Sequence, residues 1–183
     1  MIKLPTLIND AFIIKPKVFK DDRGFFLESW NKQVYNELGI GLEFVQDNHS
    51  KSSKNTLRGL HYQVGEFAQG KLVWVTSGVV YDVFVDLRKH SSTYGMWDSY
   101  HLDSESHCRL WIPPGCAHGF LAMTDVVDFH YKCTNYYNPQ SDRTLIWNDQ
   151  TLKIAWPLSK KETPIISDKD KKGKTFDECE KYY

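Results

Sequence analysis

Along most of this chain apolar residues recur at every second position, in short runs bounded by Gly, Pro, Asn and Ser clusters. That period belongs to half-buried strands. Residues 11–19, rich in Ile, Val and Phe, read as a strand; Asp21-Asp22-Arg23-Gly24 reads as a turn, and residues 25–28 as the strand that follows it. Residues 31–38 break the pattern. Val34, Tyr35 and Leu38 take helical spacing and Gly39 follows as a cap, so one short helix is expected there. Further strands are expected over 56–63, 71–77, 79–87, 96–102, 109–112, 118–123 and 126–134. Many short strands with regular turns predict an all-β sandwich or barrel. The polar, Lys-rich stretch after Trp156 reads as a surface wrap held by Pro164-Ile165-Ile166.

Strand parity marks three positions. Alternate side chains share a face. Lys71 therefore shares one with Val73 and Val75, Asp82 with Phe84, and Tyr131 with Val127, Phe129 and Cys133. If those faces point inward, a lysine, a carboxylate and a phenol stand inside an apolar barrel, where a charge is costly unless paired or used.

The 183 residues suit one domain, 1–183, with one core. Hydrophobic residues make up 41% and charged residues 25%, the proportions of an ordinary globular protein. A formal net charge of zero gives no general attraction to nucleic acid or to an anionic membrane. The opening MIKLPTLINDAFII holds no long apolar run, so neither a signal peptide nor a membrane span is expected there, and the location expected is cytoplasmic. Cys108, Cys116, Cys133 and Cys179 show no CxxC spacing and are expected as free thiols.

Two of the seven histidines sit in specific contexts: His61 in LRGLHYQ (57–63) and His118 in WIPPGCAHGF (111–120). Pro113-x-Gly115-x-x-His118 matches the second half of the cupin signature, and Gly59-x-His61-x-Gln63 resembles an altered first half. Metal-binding cupins carry His-x-His and a nearby Glu. Here Gln63 takes the second histidine's place, which leaves two imidazoles and no third ligand for a tight zinc or iron centre. No metal and no other cofactor are expected; the site suits acid–base work.

With DRGFFLES (22–29), FVQDNHS (44–50), QGKLV (69–73), DVFVD (82–86) and SDKD (167–170) added, the chain closely resembles the dTDP-4-dehydrorhamnose 3,5-epimerases, from about residue 7 to 171. The resemblance implies a cupin-type antiparallel barrel or jelly roll with a few short helices. It also implies a nucleotide-linked 4-keto-6-deoxy sugar as substrate. Hydrogens on C3 and C5 of that sugar are α to the ketone, so removing either gives an enolate, and reprotonation on the other face inverts the carbon. By resemblance the base is His61 oriented by Asp170, the acid is Tyr131, and Lys71 faces the C4 oxyanion. His118 is a further polar contact, and Asp82 is expected to pair with Lys71 and keep it charged. Substrate binding is carried over to Arg23, Glu28, Gln46, Asn48, Arg58 and Lys169, with Arg23 and Glu28 reaching the neighbouring subunit's site in a homodimer. Asp142 stands where the family often has Glu, at a position that helps bind the nucleotide end; its shorter side chain departs from that pattern there. Relatives that invert one carbon share most of these motifs, and a sugar-binding cupin without catalysis is the reading from another class. His61, Lys71, Tyr131 and Asp170 together argue against the latter.

Overall fold

The computed structural model describes residues 1–159 and 161–183. Its strands are β1 (Ile2–Pro5), β2 (Phe12–Lys15), β3 (Val18–Asp21), β4 (Gly24–Leu27), β5 (Gln46–Ser53), β6 (Leu57–Gln63), β7 (Lys71–Ser77), β8 (Val79–Asp86), β9 (Trp97–Asp103), β10 (Arg109–Ile112), β11 (Cys116–Ala122), β12 (Val126–Cys133) and β13 (Asp142–Thr144). One helix, α1 (Lys32–Glu37), and short 3-10 turns at Gly65–Phe67 and Asp170–Lys172 complete the elements. A six-stranded sheet runs β1-β2-β10-β7-β12-β5 and a five-stranded sheet β13-β6-β11-β8-β9; β3 and β4 pair only with each other. All strand pairings are antiparallel, so the all-β class expected from the pattern is the one observed. Among the described residues no helix is long and apolar enough to cross a membrane.

Alternation sorts the apolar residues into three layers. Val73, Val75, Leu110, Val127 and Phe129 of the six-stranded sheet pack with Val80, Phe84, Leu102 and Phe120 of the five-stranded sheet. The other face of the five-stranded sheet, with Leu60, Val83 and Val85, is covered by Leu145, Leu152, Ile154, Phe176 and Cys179. The other face of the six-stranded sheet, with Phe12, Ile14, Leu72 and Trp111, is covered by Tyr35 and Ile40. Asn31 caps the helix by accepting from the Gln33 and Val34 amides, and Gly39 follows at φ +102°. All four cysteines are free and buried.

The structure corrects the sequence expectations in four places. Residues 11–19 form two strands because Pro16, with no N–H, interrupts the ladder. β1 and β13 are too short to show a period. The third is β5, QDNHSKSS, a strand with no apolar residue at all. The tail, finally, is more than a wrap: Phe176 and Cys179 enter the core, and Asp170 is buried. Ile165 itself is exposed and anchors through its backbone, which bridges Thr56.

β6 and β11 approach so closely that neither tolerates a side chain at their crossing. A Cβ on Gly59, whose φ is +124°, would lie 2.5 Å from the Gly119 Cα. Gly59→Ala is therefore expected to cost roughly 2–4 kcal/mol of stability, from the strained backbone and the overpacking together. Urea unfolding followed by circular dichroism measures it, and a cost below about 0.5 kcal/mol contradicts the close approach.

Candidate active site

The cavity between the sheets has two lobes, of about 220 and 140 Å³, which share His61, Lys71 and Tyr131. The first lobe adds Gln46, Asn48, Asp142 and Lys169; the second adds Arg58 and His118. His61 comes from β6 in one sheet, and Lys71 and Tyr131 come from β7 and β12 in the other. The base and acid expected from the sequence thus stand on opposite walls.

His61 Nε2 lies 2.6 Å from Asp170 Oδ1, and the Gly59 amide donates to Asp170 Oδ2 at 3.1 Å. The Asp170 amide in turn donates to Ser167 Oγ. Burial pushes the Asp170 carboxyl up, but the His61 hydrogen bond and charge, with the Gly59 and Ser167 bonds, outweigh it and hold it below the usual carboxylate range. An ionised Asp170 accepts from Nε2–H, so the neutral imidazole carries its lone pair on Nδ1. His61 remains about one-third exposed, at 32% of its side chain, so a ligand can reach it.

His118 forms a second pair with a different character. Its Nε2 lies 3.0 and 2.9 Å from the two oxygens of Asp82. This corrects the expectation that Asp82 pairs with Lys71. On the inner face of β8, Asp82 lies beside β11 of its own sheet, within reach of His118, while Lys71 stands on the facing sheet. Lys71 Nζ donates instead to the His61 carbonyl at 3.2 Å. Burial lowers the Lys71 pKa, while the charges of Cys133, Asp142 and Asp82 oppose the shift. Burial likewise raises Asp82 and lowers His118, each tempered by the other. Burial also raises the Tyr131 phenol, which keeps its proton.

The remaining candidates divide into two groups. Gln46 donates to Asn48 Oδ1 and accepts from the Tyr137 amide; Arg58 donates to Ser52 Oγ and the Lys51 carbonyl; Lys169 bonds Asp142. All five line the cavity. Arg23 and Glu28 do not. Arg23 sits on the β3–β4 turn, 89% exposed and ion-paired to Asp21, and Glu28 accepts from Asn31. Tyr137, whose hydroxyl donates to Asp142, was not anticipated; an exposed tyrosine in the polar loop between β12 and β13 was its only signal. Gln63 donates to the Phe67 and Tyr136 carbonyls and accepts from the Asn138 amide, so its side chain is spent on holding loops. Among the described residues no three His, Cys, Asp or Glu side chains converge as a metal site would require.

An all-β barrel with a His–Asp pair, a buried lysine and a neutral phenol around one cavity is an arrangement suited to proton transfer. The dTDP-4-dehydrorhamnose 3,5-epimerase family matches residues 5–178, so the chain belongs to that family. It is 51% identical over 180 residues to the dTDP-4-dehydrorhamnose 3,5-epimerase of Salmonella typhimurium, covering 98% of this chain and 97% of that one. Among solved structures it resembles the dTDP-4-dehydrorhamnose 3,5-epimerase of Elizabethkingia anophelis, at 42% identity and TM-score 0.92 over 97% of both chains. It equally resembles the dTDP-6-deoxy-D-glucose-3,5-epimerase of Legionella pneumophila in complex with dTDP-4-keto-L-rhamnose. There the identity is 45% and the TM-score 0.92, over 97% of this chain and 94% of that one.

Asp170→Asn tests the orientation of His61. An amide NH2 facing Nε2 reverses the tautomer and takes the lone pair off Nδ1. Turnover is expected to fall about 10²–10⁴-fold with little change in KM. The carboxyl is depressed in the folded state, so its contribution to stability is present above the unfolded value of about 3.9 and is lost as pH falls through the folded value. The variant should lose that acid limb in a melting-temperature series; an unchanged limb contradicts the pairing.

Proposed function

We propose that this chain is an isomerase that inverts C3 and C5 of dTDP-4-keto-6-deoxy-D-glucose, giving dTDP-4-keto-L-rhamnose, without a metal. The observation that carries the reading is the placement of His61 and Tyr131 on opposite walls of one cavity, with Lys71 beside them. His61 Nδ1 removes the hydrogen α to the ketone, and Asp170 stabilises the imidazolium. Negative charge moves onto O4, where Lys71 donates to it. The Tyr131 hydroxyl then delivers a proton to the opposite face of the carbon. The tyrosinate left behind recovers its proton through solvent, as His61 loses the one it took. His118 and Asp82 fix the wall behind the sugar. Arg58, Lys169, Gln46, Asn48 and Asp142 hold the nucleotide diphosphate and sugar, the cations matching phosphate oxygens.

The reading includes a homodimer with shared sites. β5 is an unpaired edge whose inner face presents Gln46 and Asn48 to the cavity, and the β3–β4 hairpin has no partner sheet. Isolated two-stranded hairpins are marginal in water, and open edges recruit strands. This hairpin also exposes Phe19, Phe25 and Phe26, the last at 70%. A second copy that takes the hairpin near its own cavity brings Arg23 and Glu28 to the substrate. The reading also carries a cytoplasmic location and a supply of deoxysugar to surface polysaccharides such as lipopolysaccharide.

Deuterium exchange in D2O separates the acid from the base. His61→Ala should abolish exchange at both C3 and C5. Tyr131→Phe keeps the ring's packing but removes the donor; exchange should persist while net inversion falls about 10²–10⁴-fold. Wild-type protein that exchanges only one carbon points to a single-carbon epimerase, and inversion by Tyr131→Phe at the wild-type rate moves the acid elsewhere.

Complementation tests the shared site. Arg23→Ala and His61→Ala chains are each expected to be inactive. Mixed and allowed to exchange subunits, they should regain activity in about a quarter of all sites, because each hybrid holds one intact site. Mixtures no more active than their components contradict sharing.

A further inference from the structure

Outside the active site, the most unusual group is the guanidinium of Arg109. The residue is 4% exposed, and its Nε is a buried donor with no partner. No ion pair among the described residues includes it; on this face Asp128 is paired with His49 and Asp47 with Lys132, while Glu28 accepts from Asn31. The Tyr35 phenol partly offsets the burial that lowers the Arg109 pKa. One face of the guanidinium lies over the Trp74 ring, 4.5 Å from its centroid. Trp74 stacks on His130, and His130 on His49, so a flat row crosses four adjacent strands on the outer face of the six-stranded sheet.

Arg109 opens into an apolar cavity of about 330 Å³. Phe25, Phe26 and Leu27 of the hairpin form one wall, and Trp74 and His107 form another. A charge kept from water in such surroundings calls for a carboxylate. The hairpin that walls the cavity also exposes Phe19, Phe25 and Phe26. A two-fold assembly supplies each copy's arginine with an acid from the other.

We infer that this cavity receives a carboxylate from a second copy of the chain, which makes Arg109 the ionic anchor of the subunit interface. The inference rests on the paired assembly proposed above and names the contact that holds it. The carboxylate lies in the plane of the guanidinium fork, and the aromatic walls exclude water from the pair.

Sedimentation of the full chain over a concentration series tests this. Arg109→Met keeps a long side chain over Trp74 and deletes the charge. The dimer dissociation constant should rise at least about thirty-fold, because the partner's carboxylate is left buried and unpaired. Melting of the dilute monomer should be unchanged or higher, because a lone buried charge has been removed. Arg109→Lys, which keeps the charge and loses the fork, should weaken the dimer by less and serves if the methionine variant misfolds. A wild-type dissociation constant in Arg109→Met overturns the anchor, as does a monomer that melts lower while dimerising normally. A crystal of the dimer with added benzoate bound in this cavity, and no protein carboxylate there, also overturns it. A wild-type chain that stays monomeric yet epimerises the sugar removes the shared-site assembly and the anchor together and leaves the activity. Failure confined to Arg109→Met removes the anchor alone.

Discussion

The contact on which the site depends is the carboxylate of Asp170. One oxygen meets His61 Nε2 and the other takes the Gly59 amide, so a single group ties the chain's tail to two positions of β6. The Gly59 bond does more than satisfy a donor. Gly59 stands at the crossing where β6 meets β11 without room for a Cβ, and the same ladder sets His61 opposite His118. Tail, strand and second histidine are therefore positioned together. Their register is decided by an approach distance only glycine permits.

Much of this was legible before the fold was known, for a physical reason. Strand parity follows from backbone geometry alone, so it places Lys71, Asp82 and Tyr131 on the same faces as apolar residues, which turns them inward if those faces are the buried ones. Burial bears this out at Lys71 and Asp82, and Tyr131 packs against the same core. β5 escaped because its pattern is that of a cavity wall. Both faces are polar, with Gln46, Asn48 and Ser50 turned toward the cavity and His49 turned outward, and a hydrophobic period cannot mark such a strand. Asp170 was invisible to periodicity for another reason. It is a long-range partner from a polar tail, more than a hundred residues from His61. Only the resemblance to a family drew it in. The Asp82 partner was misjudged because parity gives the face a residue points to but not which of several inward groups it meets.

The exposed hairpin shows a different limit. Arg23 and Glu28 lie on or beside the hairpin and are not among the residues that line the cavity. No rule of local structure explains why the hairpin exposes Phe19, Phe25 and Phe26. Their exposure, like an arginine buried without an acid, is what the assembly proposed above would resolve. Both observations concern surfaces rather than periodicity, and they are the kind of signal that a reading of sequence pattern leaves out.

The two histidine–aspartate pairs differ in character. Each has an imidazole nitrogen within 3.0 Å of a carboxylate, yet their surroundings drive them apart. Asp170 keeps its charge because its hydrogen bonds outweigh burial, and His61 is open to a ligand, so a proton gained there is met by a fixed negative charge. Asp82 is fully buried, burial dominates both it and His118, and each is pushed toward its neutral form. A neutral pair can orient a hydrogen bond but resists becoming an ion pair in that setting. Of the two, His61 is therefore the one suited to act as a base, and His118 the one suited to act as a fixed dipole. What separates them is the degree of desolvation and the number of donors on the carboxylate, rather than the residues themselves.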